Sequence, residues 1–314
     1  MQKVSENGFE LAKPKRILVA TDLNDVEYLV PYVVAQAKAV GAKVTLVHAI
    51  FPFEPVVVDP LAVPYVDEMK ILRDARVMLL SVARQLEAQG ITCDTAVREG
   101  RAGRVIREEL DRTGATRLIV GTHARGKLGQ FVLGSIAQEL ISSAHVPVFV
   151  VGPQARAGVE HATPRNILHP VSLMGNYQDS LDLALELAQA HGAKLTLLHV
   201  LEQEVTNEIN PGRTNDWAKH ALEALAAKGV NLASPVQTMV TTGAVAPEIL
   251  KAAEQTNTDW IVLGADGEQP MWPFTASAPY KVLSTATRPV LTLRHKPFHT
   301  APMKLEDVHF TSPV

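Results

Sequence analysis

Cysteine is nearly absent from this 314-residue chain: Cys93 stands alone, so the chain has no internal disulfide. A single thiol inside a strand-like segment suits a reducing compartment and is expected to be a buried structural side chain. The sequence also lacks an unbroken apolar run near 20 residues, and its first residues lack the apolar core of a signal peptide, which predicts a cytoplasmic protein without a membrane span. The net charge is −3 and the basic residues are scattered, which argues against nucleic-acid binding.

An internal repeat covers nearly the whole chain. GAKVTLVHA at 41–49 recurs as GAKLTLLHV at 192–200 with six of nine positions identical, and LIVG at 118–121 pairs with IVLG at 261–264. A period of domain size indicates a duplicated domain rather than a solenoid. The predicted organisation is a first domain over 12–152, a linker over 153–164, a second domain over 165–295 and a C-terminal tail over 296–314.

Both halves alternate short apolar β-rich runs with helical stretches, which predicts parallel sheets covered by helices on both faces. The ten expected strands lie near 16–21, 43–49, 91–97, 117–121, 147–151, 166–171, 194–200, 235–241, 259–263 and 289–293. The helical period over 67–89 gathers one apolar face, made of Ile71, Leu72, Ala75, Met78, Leu79, Val82 and Leu86. The spacing of Arg101, Arg104 and Arg107 is expected to give a solvated helix face beside Glu108 and Glu109.

A glycine-rich segment, GTHARGKLGQFVLGS at 121–135, lies between a buried strand and a helix that begins near Ser135. Glycines let backbone N–H groups face a ligand, the helix N-terminus favours anions, and Arg125 and Lys127 add positive charge, so the segment predicts a phosphate site. An ordinary glycine-rich turn is the alternative. A P-loop match fails, because Leu128 stands where Ser or Thr must hold Mg²⁺.

Each half resembles a universal stress protein domain. The nucleotide-binding branch of that family carries G-x₂-G-x₉-G-[ST] after the fourth strand, and Gly121, Ala124, Gly134 and Ser135 stand at those positions, with alanine replacing the second glycine. The resemblance implies two tandem doubly wound α/β domains, each with a five-stranded parallel sheet of order 3-2-1-4-5. The carboxyl ends of strands 1, 2 and 4 then meet where such sheets bind ligands.

The resemblance further implies that the first half binds ATP or another adenine nucleotide, with Mg²⁺ carried by the phosphates rather than by protein ligands. Asp22 and the backbone at Ala49 would lie near the adenosine, although Asp22 alone also reads as a helix cap or turn residue. The residues expected to bind the nucleotide are Ala20, Thr21, Asp22, Ala49, Gly121, Thr122, His123, Ala124, Arg125, Gly126, Lys127, Gly134, Ser135 and Ile136.

The second half is expected to bind triphosphate poorly. Ser172 replaces Asp22, and the carboxylates Asp266 and Glu268 would face a polyphosphate. Trp272 is a candidate to fill the vacated pocket.

The duplicated His48 and His199 both end a second strand, so they are expected to hold a structural hydrogen bond common to both halves. Three functions stay open: an ATP-binding stress-response module, a slow ATP-hydrolysing enzyme, and an interaction protein with residual nucleotide binding. The resemblance implies an internal pseudo-dimer along the two fifth strands, and it leaves homodimerisation open.

Overall fold

The computed structural model describes residues 12–51, 67–122, 133–152, 155, 162–202, 211–265 and 277–294. The chain forms two compact units, the first comprising 1–163 with 283–291 and the second 164–282 with 292–314. Within the described part of the chain, every helix is too short or too polar to span a lipid bilayer.

The first half contains, in chain order, β1 (Arg16–Ala20), α1 (Val26–Val40), β2 (Lys43–Ile50), α2 (Glu68–Glu87), β3 (Cys93–Glu99), α3 (Ala102–Thr113), β4 (Arg117–Gly121), α4 (Ser135–Ser143) and β5 (Val148–Val151). The second half contains β6 (Asn166–Pro170), α5 (Gln178–His191), β7 (Lys194–Leu201), α6 (Pro211–Ala226), β8 (Gln237–Thr242), α7 (Val245–Gln255), β9 (Trp260–Ala265), α8 (Ala278–Thr285) and β10 (Val290–Arg294). Each strand lies within two residues of its predicted bounds, because buried parallel strands are short apolar runs between polar breaks.

The sheet of the first unit is parallel, and its strands lie in the order β3-β2-β1-β4-β5. This confirms the doubly wound order. The connections through α1 and α2 lead from β1 toward β3, whereas those through α3 and α4 lead in the opposite direction, toward β5. Because such crossovers are right-handed, α1 and α2 cover one face of the sheet and α3 and α4 cover the other. In the second unit, β6 likewise lies between β7 and β9, and β8 flanks β7.

The core of the first unit is built from the strand side chains. Leu18, Val44, Leu118 and Phe149 are fully buried, and each such side chain stabilises the fold by about 1.5–3 kcal/mol relative to its exposed state. Cys93 is buried as expected, and burial raises the pKa of its thiol to about 12.

The prediction for the apolar face of α2 was wrong at two positions. Ala75 and Leu79 are buried, but Ile71 is 44% exposed and Met78 is 48% exposed. The apolar arc of this helix is wider than the strip that reaches the sheet, so residues at the edge of the arc remain in solvent.

Glu109, which the sequence analysis placed beside a solvated arginine face, is itself buried. Glu109 is only 3% exposed, because its carboxylate turns inward and accepts hydrogen bonds from two arginines, Arg98 Nε at 2.7 Å and Arg112 Nε at 2.8 Å. Charge-assisted hydrogen bonds of this kind offset the cost of burying the carboxylate.

Candidate functional site

A cavity of about 180 Å³ opens where β1, β2 and β4 end, beside the first turn of α4. Ala20, the last residue of β1, is paired with Val47 of β2 on one side and with Val120 of β4 on the other, so the carboxyl ends of the three strands lie at the same edge of the sheet. This is the edge at which the strand order changes direction, the expected ligand position of a doubly wound sheet.

The cavity is lined by residues from the strand ends, the β1–α1 turn, α3 and α4. They are Ala20, Thr21, Asp22, Asp25, Val47, His48, Ala49, Ala102, Ile106, Val120, Gly121, Gly134, Ser135, Ile136, Ala137 and Leu140. Eight of the expected site residues are among them: Ala20, Thr21, Asp22, Ala49, Gly121, Gly134, Ser135 and Ile136. Segments remote in sequence therefore meet at one cavity.

Other expected site residues do not contribute to the described lining. Thr122 turns away from the cavity: it is buried, its N–H donates to the Val151 carbonyl at 3.0 Å, and its hydroxyl donates to the same oxygen at 3.4 Å. The predictions for His123, Ala124, Arg125, Gly126 and Lys127 lie outside the described residues, as does the prediction for Trp272.

Asp22 forms the turn between β1 and α1. Its Oδ1 accepts a hydrogen bond from the Asn24 N–H at 2.8 Å, and Leu23 takes a left-handed φ of 71° within this turn. Asp22 is exposed, and it lines the cavity while it makes this turn contact. The turn role and a ligand role are compatible in this geometry.

Asp25 is a cavity residue that the sequence analysis missed. It occupies the cap position of α1, yet its side chain does not cap the helix; the carboxylate accepts a hydrogen bond from the Thr21 hydroxyl, which itself accepts from the Leu23 N–H at 2.9 Å. Burial raises the pKa of Asp25 to about 7, the Thr21 hydrogen bond opposes that rise, and the nearby Asp22 adds to it. The spacing Thr-x₃-Asp after a strand was a signal, but an Asp before a helix reads first as an N-cap.

Gly121 lets Asp25 approach β4. A Cβ at this position would lie 2.5 Å from Asp25 Oδ2 and 2.7 Å from the Tyr28 hydroxyl, closer than real side chains pack. Both neighbours are buried and have little room to withdraw. The glycine is therefore required by packing on the α1 side of the sheet, independently of any ligand.

The helix α4 presents its N-terminus to the cavity. It begins at Ser135 as expected, and its N-cap is Gly134, which has no side chain to satisfy the first backbone N–H groups. Free N–H groups and the positive end of the helix dipole favour an anion at this end. The Ser135 hydroxyl adds a further donor, and Ile136 is 47% exposed at the same turn.

The duplicated histidines hold the same contact in both halves. His48 Nδ1 donates to the Thr21 carbonyl at 2.9 Å, and His199 Nδ1 donates to the Val171 carbonyl at 2.9 Å. This confirms the expected common hydrogen bond, which ties the end of the second strand of each half to the end of its first strand. Burial lowers the pKa of His199, which favours the neutral ring.

The second half differs at the corresponding helix. Ser277 precedes α8, and its hydroxyl accepts a hydrogen bond from the Tyr280 N–H at 3.3 Å, so a side chain already satisfies one of the terminal donors. Trp217 packs edge-on against His199 with ring centroids 6.3 Å apart. An indole therefore lies beside His199, near the end of β7.

The lining of the first-half cavity has a chemistry that suits a nucleotide. Val47, Ile106 and Leu140 supply apolar wall for a base, and the α4 terminus supplies donors for phosphate. The described residues contain no cluster of three or more potential metal ligands.

Comparisons with known proteins agree with this fold. The universal stress protein family model matches residues 13–152 and again 164–294. A universal stress protein of Methanocaldococcus jannaschii is 27% identical over 153 residues, which make up 48% of this chain and 88% of that protein. The Thermus aquaticus universal stress protein from the QAH/OAS sulfhydrylase 3′ region is 30% identical over 142 residues, 44% of this chain and 98% of that protein.

A solved structure of a universal stress protein from Archaeoglobus fulgidus superposes with a TM-score of 0.70 at 20% identity. The match covers 89% of this chain and 98% of that one, which shows that the fold is shared. Because the family model matches both halves and most of the chain, this protein belongs to the universal stress protein family.

Proposed function

We propose that the first half of this protein binds one adenine nucleotide, ATP with Mg²⁺ carried by its phosphates, and that the protein acts as a nucleotide-dependent stress-response module. The observation that supports this most strongly is the cavity itself. Its lining joins three strand ends to the N-terminus of α4, so an apolar pocket and an anion-binding helix end lie side by side.

The proposed orientation follows from the lining. The base lies against the apolar walls with Asp22 and Ala49 at its edge, and the ribose lies by Gly121. The phosphates lie toward Gly134 and Ser135, where the helix dipole and the serine hydroxyl stabilise negative charge. Each hydrogen bond to a charged phosphate oxygen contributes about 1.5–3 kcal/mol to binding.

The proposed stoichiometry is one nucleotide per chain. In the second half, Ser277 uses its hydroxyl to cap α8, whereas Gly134 leaves the corresponding donors of α4 to a ligand. Ser172 replaces the carboxylate of Asp22 in that half, which removes the expected partner of the adenosine.

We further propose that ATP is held without fast turnover. Fast phosphoryl transfer needs a positioned base or water-orienting group together with metal ligands. In the described lining, His48 donates its Nδ1 proton to the Thr21 carbonyl, and the carboxyl group of Asp25 is buried against Gly121. We propose that neither group acts as a base on the phosphates, which lie toward Gly134 and Ser135 in the proposed orientation.

The test is titration calorimetry with Mg-ATP on the full chain, preceded by nucleotide analysis of protein purified without added ligand. We expect one site, weakened about tenfold or more by Ser135→Ala through the loss of one charge-assisted hydrogen bond. Ser277→Ala is the matched control, because it removes the serine at the equivalent helix of the second half and should leave ATP affinity unchanged.

Two results would contradict the proposal. Two equivalent sites, or no binding at millimolar ATP, would exclude a single nucleotide site in the first half. Steady hydrolysis in the range of about 1–100 s⁻¹ that is typical of kinases would make the protein an enzyme rather than a binding module.

A further inference from the structure

Asp25 is a buried acid in the wall of the cavity, and the interpretation as a nucleotide site gives it no role. It is 3% exposed and lines the cavity, and its Oδ2 occupies the space beside Gly121 of β4 that a Cβ would need. Its position at the start of α1 would ordinarily direct the carboxylate to the helix N–H groups, but no cap hydrogen bond forms. The acid is therefore directed to the sheet end of the cavity.

In the part of the chain that the structure describes, the groups around Asp25 supply no positive charge, although the Thr21 hydroxyl and the backbone of Asp22 and Asp25 hydrogen-bond to its carboxylate. The groups are the Thr21 hydroxyl from β1, the Asp22 carboxylate from the turn, Tyr28 from α1, His48 from β2 and Gly121 from β4. His48 donates its Nδ1 proton to a backbone carbonyl, and none of the described lining residues is lysine or arginine. Ionisation of Asp25 would place a second carboxylate beside Asp22 in a partly desolvated cavity.

Resting on the proposed function, we propose that Asp25 couples anion binding in this cavity to proton uptake. The neutral acid accepts a nucleotide with its phosphates, and the ionised carboxylate repels it. The coupling is reciprocal: a bound anion favours the protonated acid as much as protonation favours the anion.

The expected change in anion affinity follows from the pH range over which Asp25 titrates. Burial raises the pKa of Asp25 to about 7, so the group changes from mostly neutral to mostly ionised between pH 6 and pH 8. If the anion binds only to the neutral form, its affinity should fall about tenfold across that interval. At pH 7 binding should then take up about half a proton per ligand at Asp25.

The experiment is calorimetry of the full chain with Mg-ATP at pH 6, 7 and 8, in pairs of buffers with different ionisation enthalpies. Asp25→Asn keeps the shape of the side chain but cannot ionise. Because ATP itself titrates equally in both experiments, the difference in pH dependence of affinity between variant and wild type reports Asp25 alone. Glu186→Gln is the matched control, because burial and Asp182 also raise the pKa of Glu186 to about 7, but it lies on α5 outside the cavity lining.

We expect the affinity of wild type and of Glu186→Gln to fall about tenfold more between pH 6 and pH 8 than that of Asp25→Asn. Adenosine, which carries no phosphate, should show no such fall. An equal pH dependence in wild type and Asp25→Asn, or an equal fall with adenosine, would overturn the coupling and leave nucleotide binding in place. Absence of ATP binding at every pH would instead overturn the proposed function. Proton uptake by the wild type tests the coupling even if Asp25→Asn fails to fold.

Discussion

Asp25→Asn should stabilise the ligand-free protein at neutral pH, and the gain should grow with pH. Well below pH 3.8 the carboxyl group is protonated in both the folded and the unfolded chain, so its burial costs little. Between about pH 4 and pH 7 the unfolded chain releases the proton while the folded chain retains it, so the wild type loses stability as pH rises. Raising the pKa from 3.8 to about 7 corresponds to a loss of at most about 4 kcal/mol, complete above pH 7.

The asparagine removes this loss while retaining an oxygen that accepts the Thr21 hydrogen bond. Urea unfolding followed by circular dichroism at pH 4, 6 and 8 measures the difference in unfolding free energy between variant and wild type. Glu186→Gln is the companion variant in the second half, because burial also raises the pKa of Glu186 to about 7. All three tryptophans lie in that half, so tryptophan fluorescence measures the unfolding of this variant. A gain equal at pH 4 and pH 8, or a loss that increases with pH, would show that Asp25 is not a buried acid of raised pKa.

Two further predictions concern packing. Gly121→Ala should destabilise the first unit by about 1–3 kcal/mol, because its Cβ collides with buried groups on α1, and thermal unfolding would show no loss if this packing is wrong. Glu109→Ala should cost about 1–3 kcal/mol by leaving two arginines without their acceptor, whereas removal of the exposed Glu108 should cost under about 0.5 kcal/mol in the same assay.

Much of the architecture could be predicted from the sequence because its determinants are local. Apolar runs between polar breaks mark the strands of a parallel sheet, and the repeat assigns the same pattern to both halves. The start of α4 at Ser135 was predictable from a glycine and serine that follow a glycine-rich segment. The duplicated histidines predicted a shared hydrogen bond, and the contacts of His48 and His199 are the same in both halves.

Other features depended on long-range packing and were decided only in the tertiary structure. The carboxylate of Asp25 could cap α1 or turn inward, and the space beside Gly121, nearly a hundred residues away, made the inward position available. Glu109 is buried because Arg98 of β3 donates a hydrogen bond to its carboxylate. Ile71 is exposed because it lies at the edge of the apolar face of α2. Sequence pattern determines which faces are apolar, but the direction and protonation of a side chain depend on what the folded chain places against it.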